Sequence, residues 1–206
     1  MASLEMQKFL DRNTAGQDKG KDLPIEDQRR NFDAFMVGLP LPENILIDDY
    51  TLAGRPARKY FTSGVREDAS LLYFHGGGHL TGSLDSHHSF AAHLAIACRA
   101  AVNALDYRLA PEHPYPAAVD DAVAAYSEML EYTPGENIML AGDSAGGNLA
   151  LACFLRIKRE GLPIPGCGAL LSPVTDWTGE TIKSAEMREY SLVNAGLYAG
   201  DWPLDT

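Results

Sequence analysis

Positive charge is in short supply in this chain: 17 lysines and arginines face 28 acidic residues, for a net charge of −11. That balance argues against a nucleic acid or an anionic membrane surface as partner, because both are bound through basic patches. Cysteine is scarce too. Cys98, Cys153 and Cys167 are odd in number, widely spaced and set among apolar residues. They read as small buried hydrophobes in a reducing compartment, and no pair has metal-ligand spacing. No apolar run reaches the roughly 20 residues of a membrane span. The first eight residues have neither a basic start nor an apolar stretch of leader type, so a cytoplasmic protein without a signal peptide is the expectation. Internal repeats are absent. Histidine is absent from the whole stretch beyond His113.

What is present alternates strand and helix signals. Residues 3 to 12 have a short amphipathic pattern, and Asn13 to Asp22 is polar and glycine-containing, as a linker is. A helix is predicted to start at Pro24, with an apolar stripe of Ile25, Phe32, Phe35, Met36 and Leu39. Strands are expected at Ile45 to Leu52, Ala57 to Phe61, Ser70 to Phe74, Ala101 to Leu105, Ile138 to Ala141 and Gly166 to Leu171. Helices are expected at about Asp85 to Arg99, Pro116 to Tyr132 and from the turn at Ser144 to Arg159. The last of these is apolar nearly all round, which predicts a central, covered helix. Strands alternating with helices predict an α/β fold with a mostly parallel sheet flanked by helices.

The chemistry gathers at two glycine-bearing loops. Gly142-Asp143-Ser144-Ala145-Gly146 has the Gly-x-Ser-x-Gly spacing of a nucleophile elbow, between a strand and a helix. The serine must stand at a sharp turn, and side chains two residues to either side would collide with it. The helix that follows points its free N–H groups at the serine, where an oxyanion would form. Gly76-Gly77-Gly78 directly follows another strand signal. In a parallel sheet both loops lie at the carboxyl edge, where sites form. We expect an oxyanion hole from Gly76, Gly77 and Ala145, with Gly78 shaping the loop; one such donor is worth roughly 3 kcal/mol of barrier. His75 is expected to brace this loop, and Gly142, Asp143 and Gly146 to support the elbow. His79 is placed near the pocket, His87, His88 and His93 on the next helix, and His113 in a proline-rich loop; none suits a general base.

Three segments carry a resemblance: His75-Gly76-Gly77-Gly78, Gly142 to Asn148, and Asp106 to Ala117 between them. Over roughly Ile45 to Trp177 the chain resembles the hormone-sensitive-lipase family of α/β-hydrolases, the bacterial type IV esterases. The resemblance implies an α/β-hydrolase fold and hydrolysis of short- to medium-chain carboxylic esters through an acyl-enzyme on Ser144, with no metal or cofactor. It implies helical cap segments in residues 1–42, a core in 43–178 and the start of a second cap segment in 179–206. Asp106, Tyr107 and Arg108 would then be structural. The expected partner is a small-molecule ester, with no nucleic acid, no stable membrane insertion, and a homodimer as an option.

One departure stands out. The family takes its acid from a later Asp-Pro-Leu-x-Asp motif and its base from a histidine further on, and this chain has neither. Asp176 follows the strand after the elbow, a place from which some other α/β-hydrolases supply the acid; its alternative role is to cap a turn beside Trp177. The last strands and helices of the fold also lack counterparts, so the chain is expected to match the N-terminal two-thirds of such an enzyme. Alternatives are an amidase or formamidase on the same scaffold, a non-catalytic ligand-binding homologue, and an inactive fragment.

Overall fold

The computed structural model describes residues 23–36 and 40–175. Pro24–Pro173 forms the larger of two compact units. The expected helix at residues 3 to 12, the second cap segment 179–206 and Asp176 lie outside the described residues.

Among the described residues the larger unit contains a six-stranded sheet. In chain order the elements are α1 (Ile25–Met36), β1 (Leu46–Leu52), β2 (Arg55–Phe61), β3 (Arg66–Phe74) and α2 (His88–Cys98). Then come β4 (Ala100–Leu105), α3 (Ala117–Met129), β5 (Ile138–Asp143), α4 (Ala145–Glu160) and β6 (Cys167–Leu171). Across the sheet the order is β1-β2-β4-β3-β5-β6. β1, β2 and β4 run antiparallel to one another in turn, whereas β4, β3, β5 and β6 are parallel.

The strands from β4 to β5 are apolar on both faces because each face carries helices. Leu71 and Tyr73 of β3 pack with Val102, Ala104 and Ala141 against the small residues Ala91, Ala92 and Ala95 of α2. Leu72 and Phe74 point the other way, with Leu105, Ile138 and Leu140, into Ala122, Val123, Tyr126 and Met129 of α3 and Leu149, Cys153 and Ile157 of α4. This is the pattern of a parallel sheet covered on both sides.

Several expectations change in detail. β3 begins at Arg66, four residues before the apolar run, and its pairing with β4 shifts register between Arg66 and Ser70. The stripe expected on α1 is not buried: that helix has no buried residue, and Phe35 is 55% exposed. Polar contacts add to the ring contact of Phe32 with His87. The Arg29 guanidinium donates to the carbonyls of Leu80 and Ala110 and forks onto Glu112, and Asp33 accepts from Ser83 Oγ. α4 is covered on one side only, with Leu155 exposed on the other. Of the three free cysteines only Cys153 is buried; Cys98 is partly exposed and Cys167, on the outermost described strand, is exposed.

The topology creates the site. From β3 the chain crosses to β4 on one side, then returns past β3 to β5 on the other. β3 and β5 are therefore adjacent, and the loops leaving them diverge to make a crevice at their carboxyl ends.

Candidate active site

Ser144 occupies the single-residue turn between β5 and α4, with φ 52° and ψ −117°. An L-residue rarely adopts this left-handed conformation, and its neighbours hold it there. The Ser144 N–H donates to Leu171 O at 2.8 Å, and its carbonyl accepts from Asn148 N–H at 3.1 Å. A Cβ on Gly142 would overlap the Gly146 carbonyl, and one on Gly146 would overlap the carbonyls of Phe74 and His75. The two glycines of the motif thus let α4 start directly against the ends of β3 and β5.

The loop after β3 lies beside this turn, since Phe74 pairs with Gly142. Gly77 and Gly78 have φ of 122° and 66°. The Gly77 carbonyl accepts from the N–H groups of Leu80 and Thr81, closing a tight turn. Gly78 has nothing within 4 Å of a would-be Cβ, so its backbone conformation, not crowding, is what calls for glycine.

Gly76 differs from its expected role. Its N–H donates to Asp143 Oδ1 at 3.0 Å, so this donor is already engaged, and a Cβ there would strike that same carboxylate. Gly76 ties the loop to the elbow; Gly77, Gly78 and Ala145 are left as candidate oxyanion donors.

Asp143 is more central than its support role suggested. Besides Gly76, Oδ1 accepts the Tyr73 hydroxyl at 2.5 Å, and Oδ2 lies 3.5 Å from His87 Nε2. Burial alone would raise its pKa, but hydrogen bonding and charge from His87, with the Tyr73 bond, outweigh this and hold it below the usual carboxylate value. His87 was read from the sequence only as lying on the next helix. It is 3% exposed, just before α2, and its Nδ1 is 2.8 Å from Ser86 Oγ.

His75 lies against the loop. Its Nδ1 lies 2.8 Å from Gly76 O, and its ring stacks on Tyr107 with centroids 4.5 Å apart. Burial pushes its pKa down to about 4, so the ring is neutral at pH 7. The Tyr107 hydroxyl donates to the His75 carbonyl at 2.7 Å. Arg108 is held by Asp121 through its backbone N–H at 2.8 Å and its guanidinium at 2.7 Å. The Asp106-Tyr107-Arg108 segment therefore supports the loop from below. His79 packs edge-on to Tyr107, and burial lowers its pKa against the opposing effect of a hydrogen bond with Asn148. His88 contacts Tyr60 and Arg58, and His93 contacts Ser89. Among the described residues there is no His, Cys, Asp and Glu cluster fit to hold a metal, and no helix is long and apolar enough to cross a membrane.

Comparison with known proteins gives consistent similarities. The profile of an alpha/beta hydrolase fold family matches residues 71–201. An acetyl-hydrolase of Streptomyces hygroscopicus is 42% identical over 146 residues, covering 69% of this chain and 46% of that protein. The carboxylic ester hydrolase LipN of Mycobacterium tuberculosis is 38% identical over 178 residues, covering 78% and 46%. Among solved structures, an esterase from the bacterial hormone-sensitive lipase family superposes with a TM-score of 0.82 at 36% identity. It covers 96% of this chain and 67% of its own. The chain thus spans about half the length of those two relatives and two-thirds of that structure.

Proposed function

Because the chain belongs to the α/β-hydrolase fold family, on its hormone-sensitive-lipase branch, we propose that it is the nucleophile-bearing part of a serine carboxylesterase for short- to medium-chain esters. Ser144 Oγ attacks the ester carbonyl carbon and passes its proton to a base. The tetrahedral oxyanion is received by the N–H groups of Gly77, Gly78 and Ala145, each worth roughly 3 kcal/mol of barrier. The alcohol leaves, and water then releases the acid from the acyl-serine. The reading calls for no cofactor, a small-molecule ester as partner, and a cytoplasmic setting.

One observation carries the proposal: the left-handed backbone at Ser144, wedged between two glycines and facing the glycine loop. Such a conformation costs of order 1–3 kcal/mol and persists where the surroundings impose it. The relatives' names, acetyl-hydrolase and carboxylic ester hydrolase, support the reaction class.

No histidine follows His113, and the imidazoles of His75, His87, His88 and His93 are engaged elsewhere. In a comparable hydrolase, loss of the base costs near 10⁶ in turnover while the rest of the site still gives roughly 10³ over water. The 206 residues alone are therefore expected to react with an organophosphonate slowly, stoichiometrically and at Ser144 only. Intact-mass spectrometry against Ser144→Ala tests this. An adduct no faster than in the alanine variant refutes a nucleophile at this position.

A further inference from the structure

One buried imidazole lies behind the oxyanion loop and has no part in the reaction just described. His87 turns Nε2 toward Asp143 Oδ2 at 3.5 Å, and a hydrogen on that nitrogen points at a carboxylate, which offers only lone pairs. The other nitrogen meets Ser86 Oγ, which can donate or accept. Ser86 is itself fixed by the turn at Ser83: its Oγ accepts the Ser83 N–H at 2.8 Å and lies 3.0 Å from the Ser83 carbonyl. The ring is stacked on His75 with centroids 5.5 Å apart and on Phe32 at 6.2 Å, and Tyr73 is tilted against it at 6.3 Å.

His75 cannot substitute, because its Nδ1 is committed to the Gly76 carbonyl and its ring is neutral. The remaining contacts of Asp143 come from Tyr73 and Gly76, both on Oδ1. A carboxylate pivots about one bond, so a hold on Oδ2 also aims Oδ1. Oδ1 in turn fixes Gly76 N–H, the residue from which the candidate donors Gly77 and Gly78 extend.

We propose that His87 is a positioning residue for the oxyanion loop, acting through Asp143 on the Gly76 backbone. The catalytic meaning rests on the esterase reading above; the effect on the loop does not. The contacts run Ser83, Ser86, His87, Asp143, Gly76, so the turn before α2 and the glycine loop are joined by one polar chain with Ser86 and His87 buried in it. The role of His87 is to supply a donor, not merely volume.

The test uses the full 206-residue chain, ¹⁵N-labelled, as wild type, His87→Phe and His87→Gln. Phenylalanine keeps a flat ring in the stack but has no donor; glutamine returns an N–H. Two quantities are read: hydrogen exchange at the Gly76 amide, and the rate at which an organophosphonate labels Ser144. In His87→Phe the Gly76 amide is expected to exchange faster by about tenfold or more, as for a lost charge-assisted hydrogen bond, while the amides of Leu72 and Leu140 hold. Labelling should slow by about tenfold to a hundredfold, part of the loss seen when an oxyanion donor is removed. His87→Gln should recover most of both. Unchanged Gly76 exchange in His87→Phe overturns the proposal, and so does a glutamine variant no better than phenylalanine. Absence of labelling in the wild type sinks the esterase reading alone, because Gly76 exchange still decides the role of His87. If His87→Phe does not fold, Ser86→Ala takes its place: it leaves the ring and removes the hydroxyl at Nδ1, and unchanged Gly76 exchange again counts against the proposal.

Discussion

Replacing Ser144 with glycine should make the protein more stable. With φ 52° and ψ −117°, residue 144 sits where a Cβ is disfavoured, at a cost of order 1–3 kcal/mol. Glycine removes that cost but adds about 0.5–1 kcal/mol of backbone entropy in the unfolded chain. The difference leaves a gain of about 1 kcal/mol. The N–H to Leu171 O and the carbonyl to Asn148 N–H are backbone groups and survive the change. The right reference is Ser144→Ala, which removes the same hydroxyl but keeps the Cβ. Equilibrium urea unfolding of the two variants isolates the backbone term. With a slope of about 2 kcal/mol/M, the glycine midpoint should lie about 0.5 M higher. In a thermal scan each kcal/mol is worth about 2–4 °C for a chain of this size. A glycine variant at or below the alanine midpoint would show that Ser144 is not strained, and the main support for a nucleophile elbow would go with it.

Other perturbations have definite signs. Tyr107→Phe strips the donor from the buried His75 carbonyl and should cost about 1–3 kcal/mol in urea unfolding. Asp121→Ala removes the buried carboxylate that takes the Arg108 backbone and guanidinium, with an expected loss of about 2 kcal/mol. His75 makes stability pH-dependent. Its unfolded ring binds a proton below about 6.5, whereas the folded ring waits until about 4. Its contribution is thus complete above pH 6.5 and is lost as pH falls toward 4. The loss amounts to about 3 kcal/mol. Urea midpoints at pH 7.5 and 4.5 measure it, and His75→Phe should flatten the difference.

How far the site could be read in advance depended on what kind of force fixes each residue. Gly142 and Gly146 were legible because backbone contact forbids any other residue there, which leaves a mark at fixed spacing. β3 and β5 were legible as apolar runs since both faces are covered. The first four residues of β3, Arg66 to Ala69, could not be seen, having neither alternation nor apolar character. Gly76 was assigned the wrong partner because its N–H could be matched to an oxyanion or to a carboxylate, and only the fold shows Asp143 within 3.0 Å. His87 and Asp143 are 56 positions apart, and no local pattern joins them. The one available hint was a pair of histidines just after Ser83-Leu84-Asp85-Ser86, at a helix start where a polar ring has backbone and hydroxyl groups to meet. The apolar spacing of α1 located the helix but not its fastening, which Arg29 and Asp33 share with the Phe32 ring.

That fastening gives α1 a different response to salt from the rest of the unit. The Debye length shrinks from about 10 Å at 0.1 M to about 3 Å at 1 M, and an ion pair as exposed as Arg29 with Glu112 weakens accordingly. Helix α2 is held by the apolar face of Ala91, Ala92 and Ala95, which added salt does not loosen. Arg29 also spans the carbonyls of Leu80 and Ala110, one from the segment after the glycine loop and one from the segment that supports it. Ionic strength therefore acts on the frame of the oxyanion loop while leaving the sheet beneath it alone. Amide exchange in α1 should quicken between 0.05 and 1 M sodium chloride, with α2 as the unmoved reference.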